Sequence, residues 1–185
     1  MRMLWVHKVA GRRYLLLVTA AAVLCASVVG VLAFRAYRAP VPRLMSLADG
    51  TEIFYLSDAL IAPSNAYPET REIKIDGEAF VRASAGAQPL IIRSRLMVLK
   101  VSGAAALRVT ARSNETGEEA DVLFGHVEAT KAYPSRENEP DILLDGQEVM
   151  VNETIDLQEK ETADVPGLRS WSDALVASVT SKSTR

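Results

Sequence analysis

The sequence predicts a mainly β domain behind a single membrane-spanning helix. Three observations carry that reading: one long apolar run near the amino terminus, a succession of short apolar or alternating stretches after it, and Asp-Gly or Thr-Gly pairs between those stretches.

The charge is divided in the same way. Of the 185 residues, the first 43 hold seven Lys/Arg and no Asp/Glu, whereas residues 44–185 hold 14 basic and 23 acidic residues, a net −9. An acidic domain repels phosphate backbones, so nucleic-acid binding is excluded from the reading. The only cysteine, Cys25, lies in the apolar run, and the only histidines are His7 and His126. The domain therefore has no disulfide, and thiolate or imidazole metal sites cannot be assembled from one chain.

Residues 1–13 read as a short basic cytoplasmic tail. From Tyr14 to Phe34 the chain runs 21 residues without a charge, and at about 1.5 Å per helical residue it spans the ~30 Å hydrocarbon core of a bilayer. Arg12 and Arg13 close one end, and Arg35 and Arg38 the other. A cleaved signal peptide fits less well, because the run is too long and no small-x-small site precedes Arg35. The cations before the run narrowly outnumber those after it, which favours an amino terminus inside and a bacterial inner-membrane location with the domain in the periplasm. Residues 35–46 read as a stiff tether, since Pro40 and Pro42 bias their predecessors toward extended backbone.

The domain is expected over 47–176. Its strand-like stretches are Ile53–Leu56, Ile73–Ile75, Ala79–Ala83, Leu90–Arg93, Leu96–Val101, Leu107–Ala111, Val122–Phe124 and Val149–Val151. Turns are expected at Asp49-Gly50, Asp76-Gly77, Thr116-Gly117 and Asp145-Gly146, where glycine supplies positive φ. Arg112–Ala120 and Pro134–Pro140 read as exposed loops, Asn152–Pro166 as acidic and weakly patterned, and 177–185 as a disordered tail.

Catalysis finds no support. The chain lacks a phosphate loop, a dinucleotide-binding glycine fingerprint, a nucleophile elbow and a zinc-protease helix, so no enzyme, cofactor or metal is expected. His126 reads as a surface or strand histidine rather than a general base. Glu137, Glu139 and Asp141 lack the ordered spacing of a calcium loop and read as a solvated acidic segment. The Asn114-Glu-Thr and Asn152-Glu-Thr sequons are too short a pattern to weigh.

Leu47-Ala-Asp-Gly50-Thr, followed by Arg71-Glu-Ile-Lys-Ile-Asp-Gly77-Glu78-Ala79-Phe80-Val81, resembles the FecR family of bacterial transmembrane signalling proteins. Pro89-Leu90-Ile91-Ile92 takes the place of that family's Pro-Phe-Val strand. Asp121 to Val127, with Gly125, looks like its glycine-turn strand, and Leu144-Asp145-Gly146-Gln147-Glu148 like its next turn. Trp171 falls where the family has a late tryptophan. The likeness covers about 44–175 and implies a solenoid- or sandwich-like β domain that works by protein contact. Its implied partner is an envelope protein, such as a TonB-dependent transducer or another membrane signalling protein. Asp49, Gly50, Gly77, Glu78, Ala79, Phe80, Gly125, Gly146 and Trp171 are expected as structural positions, with aromatic side chains in the core and glycines in turns.

Two departures accompany the likeness. Gly103-Ala-Ala-Ala-Leu107 replaces a larger family motif and implies a smaller local core, and a 13-residue tail cannot be the helical sigma-binding domain that relatives carry before the membrane. The rival reading is a noncatalytic ligand-binding or envelope-structural module tethered to the inner membrane, and the scarcity of aromatics in the domain argues against a glycan platform.

Overall fold

A computed structural model describes residues 40–183. The expected basic tail, the expected spanning run 14–34 and the start of the tether lie outside the described residues. Among the described residues no helix is long and apolar enough to cross a membrane.

The elements are β1 (Pro42–Ser46), β2 (Glu52–Leu56), β3 (Leu60–Pro63), β4 (Glu72–Ala83), β5 (Leu90–Arg93), β6 (Met97–Ala111), β7 (Gly117–Lys131), β8 (Asp141–Leu143), β9 (Gln147–Asn152), β10 (Leu157–Thr162) and α1 (Val165–Ser183). They form one ten-stranded sheet in the order β1-β2-β4-β5-β6-β7-β9-β10, with β3 beside β4 and β8 beside β7. The mainly β expectation holds.

The three long strands each serve two sets of neighbours. Residues 73–76 of β4 pair with β3, whereas residues 79–82 pair with β2. Residues 98–101 of β6 pair with β5, and residues 105–111 with β4. Residues 127–129 of β7 pair with β8, and residues 117–122 with β9. The sheet thus divides into a half built on β3, β5 and β8 and a half built on β1, β2, β9 and β10.

A hydrogen bond shows that these halves face each other. Lys131 pairs with Met97 at one end of the β6–β7 ladder, and Glu118 stands 13 residues away on the same strand β7. In a flat strand that separation is about 40 Å. Instead the Glu118 carboxylate accepts the Leu96 backbone N–H at 3.0 Å. The sheet folds over on itself, and both halves contribute to one apolar core, among them Ile73, Ile92 and Leu99 from one half and Ile53, Val81 and Val149 from the other. This is a sandwich whose corners are strands passing from one layer to the next.

Glycine makes the corners. Gly77 in β4 has φ +123°, and a Cβ there would lie 2.5 Å from the Ala59 Cβ. Gly125 in β7 has φ +113° and is pressed in the same way by Ala105. Beside it the β6–β7 register shifts between Ser102 and Leu107, the mark of a bulge that bends and twists the strand.

Several boundaries differ from expectation. Asp76-Gly77 is a bend within continuous β4 rather than a turn, because the β2–β3 corner packs against it. Residues 42–46 of the expected tether form edge strand β1, with Pro42 at its first position, where a missing N–H is tolerated. Strand β7 begins at Gly117, so the loop expected over Arg112–Ala120 is shorter, and β10 lies inside the stretch read as weakly patterned. Helix α1 reaches Ser183, so residues 177–183 of the expected disordered tail are helical. Its start is capped by Asp164, whose Oδ1 accepts the Gly167 N–H at 3.1 Å, and Pro166 sits in the first turn. Its apolar stripe, Leu168, Trp171, Leu175, Val176 and Val179, has helical spacing.

Candidate functional site

The family-like positions fall into three structural roles. Asp49 and Gly50 form the β1–β2 turn, with Gly50 at φ +85°. The Asp49 carboxylate meets Arg71, Nη2 to Oδ2 at 2.8 Å, and both side chains are largely buried. Arg71 also donates to the Ser84 carbonyl at 2.8 Å and to the Gln88 carbonyl. One guanidinium therefore ties together the β1–β2 turn, the entry to β4 and the β4–β5 loop. Burial alone would raise the Asp49 carboxyl, but the Thr51 N–H and Arg71 outweigh it and hold it at about 2. The buried Tyr67 hydroxyl lies beside this carboxylate without reaching hydrogen-bond geometry, and burial, then Asp49, push it up to about 12.

Gly77 and Gly125 make the corners, and Gly146 makes the β8–β9 turn at φ +74°. Ala79 lies in the inner core, and Glu78, on the outer face, pairs with Arg112 at 3.6 Å. Phe80 also points outward, into a second apolar cluster with Phe54, Ala106 and Leu175 under α1. Trp171 meets Phe80 edge-on with centroids 6.2 Å apart. Sequence positions 80 and 171 are thus brought together, while the Asp49 turn and the two corners are not part of that cluster.

Beyond Trp171 the outer face turns acidic. The Arg108 guanidinium lies 5.6 Å from the Trp171 ring centroid and forks onto Asp121, with Nε to Oδ2 at 2.8 Å and Nη2 to Oδ1 at 3.0 Å. It also donates to Glu119 at 2.7 Å. Register continues this row across the sheet: Arg108 faces Asp121, Asp121 faces Glu148, and Glu148 faces Glu161 on edge strand β10. The adjacent row runs Thr110, Glu119, Met150, Glu159. Paired residues share a face, so Glu119, Asp121, Glu148, Glu159 and Glu161 form one acidic strip with Arg108 as the cation at its inner end.

Like charges directly opposite destabilise a sheet. Burial, and then Asp121, raise both the Glu119 and Glu148 carboxyls, and Glu119 adds to the effect on Glu148. Oxygens of Glu119, Asp121 and Glu148 approach within 4.8 Å of one another, close enough to converge on a cation. Arg108 already engages Glu119 and Asp121 and supplies the positive charge at that end of the group. The strip ends at a strand edge that pairs with no further strand among the described residues.

The other tempting residues lie elsewhere. His126 is exposed in β7, and Glu137 and Glu139 are exposed in the β7–β8 loop. Asp141 accepts from Gln158 at 2.7 Å. The acidic strip escaped sequence reading because its members are scattered over three strands. Its one signal was alternation: Glu119 and Asp121, Glu159 and Glu161 are each two residues apart.

No family model and no curated protein matches the chain. Two crystal structures of a "putative anti-sigma factor" from Parabacteroides distasonis do match in three dimensions, each with a TM-score of 0.61 and 23% identity, over 70% of this chain and 59% of that one. The chain thus spans less than two thirds of that protein, and what the two share is the fold, a mainly β domain of the kind that the Parabacteroides protein contains.

Proposed function

We propose that this chain is an FecR-like regulator of bacterial envelope signalling, carried on one inner-membrane helix with its domain in the periplasm, and that it acts by protein contact without catalysis. The ordered motifs from Asp49 to Trp171 support the family, and the fold shared with the Parabacteroides protein supports an anti-sigma type of role. The single observation that carries contact as the mechanism is the acidic strip. Asp121 is buried and held by Arg108, whereas Glu148 and Glu161 stand opposite each other with no cation bonded to either among the described residues, and a basic partner segment would neutralise both.

The partner is an envelope protein presenting a basic extended segment, which β10 receives along its free edge. A TonB-dependent transducer is the first candidate for the input. A photo-crosslinking residue at Met150, which is exposed between Glu119 and Glu159, tests this in cells. Adducts to one envelope protein that weaken as salt rises are expected; the absence of any envelope adduct at Met150 would overturn the contact reading.

A further inference from the structure

The outer face of the half built on β3, β5 and β8 carries a row opposite in sign to the acidic strip. Register sets Ala62 of β3, Lys74 of β4, Arg93 of β5 and Val98 of β6 side by side, and all four line a cleft of about 480 Å³. Lys74 and Arg93 are thus like charges on neighbouring strands, about 5 Å apart at Cα. Arg93 meets Glu72 through Nε at 2.9 Å, and its side chain stays 44% exposed. Lys74 is exposed and makes no hydrogen bond or ion pair among the described residues.

The other charged groups of the cleft are engaged. Asp76 accepts the Ser113 N–H at 2.9 Å. Glu118 is buried, its Oε2 accepts the Leu96 N–H at 3.0 Å and the Ser94 hydroxyl, and burial raises its carboxyl. Arg95 is held by Glu153 at 2.6 Å and by the Glu115 carbonyl. A single negative charge between Lys74 and Arg93 would relieve their opposition. Asp76 and Glu118 line the same cleft and oppose the second charge of a phosphate, so a carboxylate suits it better. The way in is from β3, which pairs with β4 on one side and with no strand on the other among the described residues. An extended segment can lie along that edge. Ala62 is short enough to let a side chain of the segment in the same row reach Lys74, and Leu60, 66% exposed, gives it apolar cover.

We infer that this cleft is a recognition site for one acidic side chain of an extended protein segment seated along β3, with its carboxylate between the Lys74 ammonium and the Arg93 guanidinium. The site lies on the other layer from the acidic strip and takes a ligand of the opposite sign, so it goes beyond the contact reading and stands or falls without it.

The test uses the full-length chain in uncharged detergent micelles and a fluorescent pentapeptide with a central glutamate flanked by alanines and threonines, against the same peptide carrying glutamine. The glutamate peptide should bind about fivefold more tightly, the scale of an ion pair open to water on one side. Lys74→Gln should abolish the difference and Lys74→Arg should keep it. Because Lys74 is exposed and faces Arg93, the thermal midpoint of Lys74→Gln should not fall. Equal affinities of the two peptides for the wild-type chain, no binding of either, or a preference that survives Lys74→Gln would overturn the inference. Stronger displacement of the glutamate peptide by inorganic phosphate than by acetate would assign the cleft to a phosphate group and overturn the protein segment as its occupant. Crosslinking from Met150 reports on the strip alone, so a negative peptide result beside positive adducts would remove this site and leave the contact reading standing.

Discussion

The two halves of the folded sheet treat their outer faces differently. On the half built on β3, β5 and β8, Lys100 faces Glu128 across the β6–β7 ladder and bonds it at 3.0 Å, and Arg93, which stands opposite Lys74, bonds Glu72. On the other half, α1 covers an aromatic patch, and the remaining strip sets Asp121, Glu148 and Glu161 in one row. Both layers neutralise most opposed charges within themselves, Arg82 with Glu52 and Arg108 with Asp121 on the second, and the Glu148–Glu161 pair is the place on it with no cation bonded among the described residues. The difference teaches where the fold tolerates strain, and unrelieved like-charge stacking beside a free edge is the more informative surface for function.

The joint between the halves gives the largest expected effect. Arg71 leads into β4 and Asp49 follows β1, so Arg71→Ala takes the cation from the largely buried Asp49, which keeps only its Thr51 donors, and removes the guanidinium from the Ser84 and Gln88 carbonyls. A loss of about 3 kcal/mol is expected, read as a lower denaturant midpoint with unchanged slope.

Acid separates the same two influences. Asp49 is depressed in the folded state, from 3.8 to about 2, so its contribution is full above pH 3.8 and is lost as pH falls to about 2. That loss amounts to about 2 kcal/mol. Glu118, Glu119 and Glu148 are raised, so folding favours their protonated forms. Stability should therefore rise as pH drops from neutral through their folded values toward the ordinary glutamate range, and fall only below it. Thermal midpoints across pH 2–8 check this, with a maximum expected in mild acid.

The helix sharpens the comparison between the covered and open faces. Trp171 is half-buried against Phe80, and Trp171→Ala should remove about 2 kcal/mol, less than a fully buried tryptophan would. Ile142, on the open half, is 40% exposed, and Ile142→Ser should change stability by less than about 0.5 kcal/mol. Equal losses in the two variants, measured by denaturant melts, would mean that the open face is covered in the full chain.

Much of this frame was legible beforehand because alternation and glycine are local signals. The stretch Ile73–Ile75 reads as a strand from sequence alone, and both isoleucines lie in the inner core. What sequence could not separate was a turn from a bend. Asp76-Gly77 and Asp145-Gly146 look alike, yet Ala59 presses on Gly77 and keeps β4 running through it, while at Asp145-Gly146 a turn interrupts the strand and β8 and β9 follow each other in one direction along β7. Helix α1 was missed because its stripe is narrow and interrupted by Ser172, which is buried, and Ser178. The acidic strip depends on the register of β7, β9 and β10, which no single segment encodes.

The central claim is that the acidic row is kept for a partner at the expense of stability. Glu148→Gln measures both sides at once, since Glu148 does not bond Arg108 and its removal relieves the row without opening the fold. The account predicts a gain of about 0.5 kcal/mol in unfolding free energy together with weaker crosslinking from Met150 in cells. A variant that is less stable and crosslinks as well as the wild type would contradict it, and would make the row a structural element rather than a binding face.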